Sequence, residues 1–166
     1  MTEAWVGLGS NVGDREAHLR AALRGLAALG EIGGVSPLYE TEPVGFLEQG
    51  PFLNAVAYVR TALAAGEFLR ELQAIELAAG RVRVRRDGPR TLDLDLLFWN
   101  ETVLAAPDLE VPHPRLHLRR FVLAPLCDLA PALRHPLLGR TARELLEHLE
   151  DPAAVELYRP SSAWPG

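Results

Sequence analysis

Leucine alternates strictly with polar residues in the stretch Thr91-Leu92-Asp93-Leu94-Asp95-Leu96. This alternation is the period of a half-buried β-strand, in which successive side chains point to opposite faces of the sheet. The leucines are therefore expected to face a core, and Asp93 and Asp95 to face away from it. On a helix the same two carboxylates would diverge by about 200°. The stretch predicts a strand that carries two carboxylates side by side.

The two aspartates are the first candidate site. Their Cα atoms would lie roughly 6.5–7 Å apart on a strand, and a cation between them would remove their mutual repulsion. Carboxylate oxygens suit Mg²⁺, which shares its coordination shell with waters and substrate phosphates. A pair of this width could also hold two ions about 3.5–4 Å apart. Taken alone, an Asp-x-Asp pair is more often a solvated strand face.

Five arginines lie directly upstream, in the segment Gly80-Arg81-Val82-Arg83-Val84-Arg85-Arg86-Asp87-Gly88-Pro89-Arg90. Guanidinium groups bind phosphate oxygens in a planar, bidentate geometry. Taken alone, this segment is more simply a solvated charge run or a nucleic-acid patch. Next to a pair of metal ligands, it favours phosphoryl transfer.

Composition limits the class of protein. The chain has 166 residues, 48% of them hydrophobic, which predicts a single domain over 1–166 with a core over about 4–150. A net charge of −5 argues against a general nucleic-acid binder. The single cysteine, Cys127, allows no internal disulfide, and no signal peptide or membrane span is apparent. We therefore expect a cytoplasmic protein. Residues from about 158 to 166 are expected to form a loose tail.

Hydrophobic periodicity predicts strand, helix, strand, strand, helix, strand. The expected elements are a strand over 4–8, a helix over 14–29, strands over 35–41 and 52–61, a helix over 65–79, and the strand of the two aspartates. This order is the ferredoxin-like pattern, an α+β fold in which both helices cover one face of an antiparallel sheet. A short return strand at Val103-Leu104 and C-terminal helices decorate it. One of these helices, within 116–129, is expected to break at Pro125, and another follows the capping box that starts at Thr141.

Three further features of the sequence, a set of glycines and two single residues, have two interpretations each. Gly7, Gly9 and Gly13 do not have the spacing of a dinucleotide-binding fingerprint, and they predict a strand-to-helix turn instead. Asn54 lies in the middle of a strand and needs a partner, which could be a neighbouring strand or a ligand. His113 stands between two prolines, outside regular structure, and a structural and a functional role are about equally expected.

Several blocks of the chain together resemble one family, the 6-hydroxymethyl-7,8-dihydropterin pyrophosphokinases of folate biosynthesis. The resemblance spans roughly residues 4 to 150, and the block Gly-Pro-Arg-Thr-x-Asp-x-Asp is its most specific part. The blocks are Gly9-Ser10-Asn11, Tyr39-Glu40-Thr41-Glu42-Pro43-Val44-Gly45, Phe52-Leu53-Asn54-Ala55, Gly80-Arg81-Val82-Arg83, Gly88-Pro89-Arg90-Thr91-Leu92-Asp93-Leu94-Asp95, Val111-Pro112-His113 and Arg119-Arg120-Phe121.

The resemblance implies a ferredoxin-like fold and transfer of a diphosphoryl group from ATP to the pterin hydroxymethyl group, with release of AMP. It also implies two Mg²⁺ ions on Asp93 and Asp95. We further expect a monomer or weak dimer, without nucleic-acid or membrane partners. Arg81, Arg90 and Asp95 would be the catalytic residues. The implied ATP contacts are Gln73, Glu76, Arg81, Arg83, Arg90, Leu96, His113 and Arg119. The implied pterin contacts are Thr41, Glu42, Val44, Phe52, Asn54 and Phe121.

The chain departs from the family pattern at a few positions. An aromatic residue often precedes Gly-Pro-Arg in the family, where this chain has Asp87, and Phe52 stands where the family often has tyrosine. Pro114, Asp108 and Glu110 also differ from residues that can contact the nucleotide. The alternatives to a pyrophosphokinase are a Mg²⁺-dependent phosphohydrolase or nuclease and an RNA-binding module. The chain lacks the aromatic strand block of such RNA-binding modules.

Overall fold

The computed structural model describes residues 1–41, 50–80 and 91–165. Its strands are β1 (Thr2–Ser10), β2 (Glu31–Val35), β3 (Leu38–Thr41), β4 (Phe52–Thr61), β5 (Asp93–Trp99), β6 (Leu104–Ala106), β7 (Leu109–Val111) and β8 (Val155–Arg159). Its α-helices are α1 (Arg15–Ala27), α2 (Ala65–Ala78), α3 (Arg120–Leu129) and α4 (Ala142–Glu147), and Leu116–Leu118 form a short 3-10 helix. In the described ranges, no helix combines the length and apolarity that crossing a membrane requires.

The main sheet is antiparallel and has the ferredoxin-like arrangement that the element order predicted. Its strand order is β5-β1-β4-β3-β8, and β2 pairs with the second half of β4. Strand β1 therefore lies between β4 and the terminal strand β5. This arrangement places the two aspartates of β5 one strand away from Gly7 and Gly9 and two strands away from Asn54.

One face of the sheet packs against α1 and α2. Leu53, Ala55, Ala57 and Val59 of β4 point into this core, as the alternation along that strand predicted. The core residues of the two helices include Leu19, Leu23, Leu26, Phe68 and Leu72. Asp14 caps α1, where its carboxylate accepts a hydrogen bond from the backbone N–H of Ala17.

The opposite face has a second core, formed by α3 and α4. Trp5, Val56 and Leu97 lie on this face and pack with apolar residues of the two helices, among them Val122, Leu123, Leu126 and Leu145. The sheet is thus covered on both faces. The predicted capping box at Thr141 is confirmed, with the side chains of Thr141 and Glu144 each accepting the other residue's backbone N–H.

The C-terminal segment corrects the prediction of a loose tail. Residues Val155–Arg159 form β8, which pairs with β3. Beyond it, Trp164 is completely buried, and its indole N–H donates to the carbonyl of Ser36 at 2.9 Å. Arg20 donates in turn to the carbonyl of Trp164 at 2.7 Å. An aromatic side chain buried in this way anchors a terminal segment that lacks a helical pattern of its own.

Other boundaries also differ from the sequence prediction. β1 continues through Gly9 to Ser10 rather than ending at Leu8, and the expected strand over 35–41 is two strands interrupted at Ser36-Pro37. The expected return strand at Val103-Leu104 is instead β6, which pairs with β7 in a separate two-stranded sheet. Pro125 lies inside α3 without ending it. Tertiary packing of the apolar face of α3 overrides the local cost of the proline.

Candidate active site

A cleft opens on the α3 face of the sheet, over the two glycines of β1. Gly7 pairs with Val56 on one side and Asp95 on the other, and Gly9 pairs with Asn54 and Asp93. All six of these residues line the cleft, and the first turn of α3 borders it with Phe121 and Val122. Because glycine has no side chain, the middle of this face is open while the flanking strands project polar groups over it.

The alternation predicted for Thr91 to Leu96 is confirmed, with the leucines facing the core and the aspartates facing the cleft. Leu92, Leu94 and Leu96 are buried against the helices α1 and α2, whereas Asp93 and Asp95 are partly exposed and line the cleft. The two carboxylates therefore stand on one face of β5, with an open floor beside them.

The donor set of the cleft fits Mg²⁺. The described part of the chain contains no cluster of three or more histidine, cysteine, aspartate or glutamate side chains that could hold a metal. A resident zinc site would need such a cluster. Mg²⁺ by contrast is commonly held by one or two carboxylates, together with substrate phosphates and waters. Asp93 and Asp95 supply that number of carboxylates.

Thr41 and Asn54 form a buried polar pair on the other side of the cleft. The hydroxyl of Thr41 donates to Oδ1 of Asn54 at 2.6 Å, and Nδ2 of Asn54 makes a longer contact of 3.5 Å with the carbonyl of Leu8. Asn54 is only 7% exposed. The first interpretation of Asn54 is thus confirmed, because the amide has partners on neighbouring strands. The side chain also lines the cleft, and a bond to a ligand stays a prediction.

A hydrogen bond joins β3 to α3 near this polar pair. The hydroxyl of Tyr39 donates to the carboxylate of Asp128 near the C-terminal end of α3. Burial of the phenol and the hydrogen bond with Asp128 raise the pKa of Tyr39 above its usual range. The hydroxyl therefore stays protonated and links α3 to the strand that carries Thr41.

Two phenylalanines and one arginine occupy positions around the cleft. Phe52 lies opposite Thr41 in the sheet, at the end of β4. Phe121 lines the cleft from α3, and the guanidinium carbon of Arg119 lies 5.4 Å from the centre of its ring. This distance is within the range of a cation–π interaction. The arginine is thereby oriented along the same side of the cleft as the ring.

His113 lies next to β5, half-buried. Its backbone N–H donates to the carbonyl of Leu97 at 2.9 Å, and its Nδ1 accepts from the backbone N–H of Arg115 at 3.2 Å. Burial, followed by the positive charges of Arg119 and Arg115, lowers the pKa of His113 to about 4, although Asp93 opposes this shift. At neutral pH the ring is therefore uncharged, and with Nδ1 as an acceptor the proton resides on Nε2.

This lowered pKa predicts a pH-dependent stability. Between pH 6.5 and about 4 the unfolded chain binds a proton that the folded His113 does not, so stability falls as the pH falls through this range. Replacing His113 with glutamine removes the titration. From pH 7 to pH 5 we expect the wild-type chain to lose about 1–2 kcal/mol more unfolding free energy than His113→Gln. Urea denaturation at the two pH values measures this difference, and equal losses in both proteins would contradict the prediction.

The expected nucleotide contacts on α2 and β5 lie away from the cleft floor. Gln73 is exposed on α2, whereas Glu76 is buried and its Oε2 accepts from the backbone N–H of Leu94 at 2.8 Å. The side chain of Leu96 is in the core. Glu76 therefore has a structural role, because it satisfies a backbone donor of β5 that points away from β1.

Five of the predicted site residues lie outside the described residues. They are Glu42, Val44, Arg81, Arg83 and Arg90. The structure in turn adds cleft residues that the sequence interpretation missed. The sequence places Gly7 in the first strand and Gly9 at its end and assigns neither to the site, although both share the parity of Trp5 along β1 and so lie on the same face, which was a usable signal. Val122 had no such signal, because only the position of α3 brings it to the cleft.

Comparison with known proteins identifies the family of this chain. Residues 5–131 match the model of the 7,8-dihydro-6-hydroxymethylpterin-pyrophosphokinase (HPPK) family. The chain is 49% identical over 144 residues to the 2-amino-4-hydroxy-6-hydroxymethyldihydropteridine pyrophosphokinase of Pseudomonas aeruginosa, covering 86% of this chain and 88% of that one. It is 46% identical over 128 residues to the enzyme of the same name from Bacillus subtilis, covering 76% and 77%.

Solved structures show the same fold at lower identity. The wild-type HPPK-DHPS of Plasmodium falciparum with pterin and p-hydroxybenzoate aligns with a TM-score of 0.69 and 20% identity, over 89% of this chain and 42% of that one. The chain thus spans less than half the length of that two-part protein. From the family match and the curated relatives, this chain belongs to the 7,8-dihydro-6-hydroxymethylpterin-pyrophosphokinase family, ATP-dependent enzymes that transfer a pyrophosphoryl group to hydroxymethyldihydropterin in folate synthesis.

Proposed function

We propose that the glycine-floored cleft is where this chain performs the family's reaction, with the pterin beside β4 and the ATP phosphates beside β5. The observation that carries the proposal is the register around β1. Asn54 and Asp93 both flank Gly9, so the two groups are separated by two strand spacings, roughly 10 Å. A hydroxymethyl group bound on one side of the glycine floor therefore lies within reach of a phosphate bound on the other.

Asp93 and Asp95 would hold two Mg²⁺ ions together with the ATP phosphates. When bound, the ions would neutralise charge on the transferred group. The two side chains suit this role because they are partly exposed and share one face of an edge strand that is otherwise buried in the core.

The pterin would be recognised by Thr41 and Asn54 and by aromatic contacts. A flat, polar heterocycle is held well by aromatic faces together with a few fixed donors and acceptors. Thr41 and Asn54 are already hydrogen-bonded to each other, so they present their remaining donor and acceptor capacity in one orientation. Phe121 would cover the ring from α3, and Phe52 would cover it from the N-terminal end of β4. Backbone groups of Glu42 and Val44 would complete the edge of the pocket.

The phosphates would be bound by His113 and by a set of arginines. Since the ring of His113 is neutral with its proton on Nε2, it can donate one hydrogen bond without adding charge. Arg119, whose guanidinium lies against the ring of Phe121, would bridge the pterin and phosphate sides. Arg81, Arg83 and Arg90 would supply the remaining positive charge, with Arg81 and Arg90 acting on the transferred group.

The nucleotide would extend along the free edge of β5. The backbone N–H of Leu94 points away from β1 and toward Glu76. Alternate residues of a strand turn their backbone groups to the same side, so those of Leu96 face this edge too. Glu76 of α2 lies at this edge, and Gln73, one helical turn before it, would line it too. In the reaction, the pterin hydroxyl oxygen bonds to the β-phosphorus of ATP, and the bond from that phosphorus to the α-phosphate oxygen breaks, releasing AMP.

The decisive experiment measures the products formed from MgATP with and without 6-hydroxymethyl-7,8-dihydropterin. We expect AMP and the pterin diphosphate in stoichiometric amounts, and no AMP when the pterin is omitted. Formation of ADP and phosphate without pterin would instead indicate a phosphohydrolase. Turnover that continues at the full rate without added Mg²⁺, in the presence of EDTA, would contradict the roles of Asp93 and Asp95.

We also propose a cytoplasmic monomer or weak dimer that does not bind nucleic acid. The net charge of −5 and the single cysteine are consistent with this proposal. Sedimentation at increasing protein concentration tests the oligomeric state. A filter-binding assay with single-stranded RNA tests the second point, and saturable binding at physiological salt would contradict it.

A further inference from the structure

Gly9 of β1 lies directly against the side-chain amide of Asn54. A Cβ atom built on Gly9 would lie 2.8 Å from Nδ2 of Asn54, 3.5 Å from a ring carbon of Phe52 and 3.8 Å from the carbonyl oxygen of Leu53. The first distance is shorter than real Cβ contacts allow, so any side chain at this position would displace the amide. All three of these atoms belong to β4, on the pterin side of the cleft.

The amide of Asn54 cannot move aside at low cost. Its Oδ1 accepts from the hydroxyl of Thr41 at 2.6 Å, and its Nδ2 reaches the carbonyl of Leu8. The side chain is almost completely buried, so losing the hydrogen bond with Thr41 is costly. A rotation that relieves the contact with a new Cβ would therefore break the bond with Thr41 or turn the amide donor away from its present direction.

Gly7 provides an internal comparison. It lies on the same strand and the same face, two residues away, and borders the same cleft. A Cβ at Gly7 would meet only the side-chain carbons of Leu97, at 3.6–3.8 Å, which is ordinary van der Waals contact. The chain therefore accommodates an alanine at Gly7 without rearrangement but not one at Gly9.

We propose that Gly9 is a positioning residue for pterin recognition: the absence of its side chain fixes the Asn54 amide in the orientation that selects the acceptor. Gly9 acts through Asn54 and does not itself contact reacting atoms. With Oδ1 engaged by Thr41, the amide presents one N–H of Nδ2 toward the cleft, and Thr41 retains lone pairs that accept. This donor and acceptor pattern matches a heterocycle with adjacent acceptor and donor groups on one edge. The inference rests on the proposed function of the cleft.

The test compares Gly9→Ala with Gly7→Ala by isothermal titration calorimetry. The ligands are 6-hydroxymethyl-7,8-dihydropterin, with a non-hydrolysable MgATP analogue present, and the analogue alone. For Gly9→Ala we expect the pterin Kd to rise about tenfold or more, and the Kd of the analogue to change by less than about twofold. The factor by which the pterin Kd rises should be at least about fivefold smaller for Gly7→Ala than for Gly9→Ala. Equal pterin losses in both variants, or equal losses of pterin and analogue in Gly9→Ala, would overturn the inference.

A double-mutant cycle separates this role from general destabilisation. In an Asn54→Ala background the contact with the amide no longer exists, so adding Gly9→Ala should leave the pterin Kd unchanged. Additive losses would show that Gly9 does not act through Asn54. If Gly9→Ala alone does not fold, the double variant decides: Gly9→Ala in the Asn54→Ala background must fold with the Tm of Asn54→Ala, and a double variant that also fails to fold would overturn the inference.

The unmodified chain is measured first. If it neither binds pterin nor releases AMP, the proposed function fails. If it does both and Gly9→Ala binds pterin equally well, only the present inference fails.

Discussion

Replacing Asp95 with asparagine is expected to lower kcat by about 10³-fold or more, which corresponds to roughly 4 kcal/mol of transition-state stabilisation. Asparagine keeps the shape of the side chain but removes the negative charge that would hold Mg²⁺ against the phosphates. The fold should not suffer. Asp93 and Asp95 stand on the same face of β5, so removing one charge relieves a repulsion between like groups. We therefore expect Tm to stay the same or rise.

The matched control for this experiment is Glu101→Gln. Glu101 is exposed in the turn that follows β5, at the end of the strand away from the cleft. This substitution removes one negative charge without changing the candidate metal ligands, so kcat should stay within about twofold of the wild-type value. The proposed metal role of Asp95 would be wrong if Asp95→Asn kept a tenth of the wild-type activity. It would also be wrong if Asp95→Asn and Glu101→Gln lost activity equally.

Replacing Trp164 with alanine is expected to lower the free energy of unfolding by about 3–5 kcal/mol. The side chain is completely buried in the core beneath α1, and its indole N–H is hydrogen-bonded to the carbonyl of Ser36. The substitution removes a large apolar surface and leaves a cavity as well as an unsatisfied carbonyl. Urea denaturation followed by circular dichroism measures the loss.

A conservative variant divides this effect into its parts. Trp164→Phe retains most of the apolar contact but cannot donate to Ser36, so the loss should be only about 1–2 kcal/mol. Leu157→Ala serves as a surface control, because Leu157 is exposed on β8, and it should cost less than about 1 kcal/mol. A Trp164→Ala variant as stable as Leu157→Ala would mean that the C-terminal segment does not anchor the fold.

Local pattern was enough to predict the parts of this protein that repeat with a regular period. The alternation around Asp93 and Asp95 assigned the leucines to the core and the carboxylates to the open face, and both assignments are confirmed. The same reasoning assigned the two faces of β4 and the bounds of α2 to within one residue. It succeeded because side-chain direction in a regular element depends only on position along the chain.

Local pattern did not predict the contacts of residues whose partners lie far away in the sequence. Trp164 was assigned to a loose tail because nothing near it in sequence predicts a strand, yet Ser36 and Arg20 provide its partners. The nucleotide contact of Glu76 stays a prediction, but no local pattern showed that its carboxylate accepts from the backbone N–H of Leu94. Pro125 was expected to end a helix that tertiary packing preserves.

The amino-acid sequence by itself determined the fold class, the family and the direction of the side chains on β4 and β5, since these depend on local periodicity and on short motifs. The tertiary structure alone decided which of these side chains share a cleft. Gly9 and Asn54 are 45 positions apart along the chain, and only the pairing of β1 with β4 brings the missing Cβ of one against the amide of the other. Strand register joins residues that have no relation in sequence, and it is set by the packing of the whole sheet.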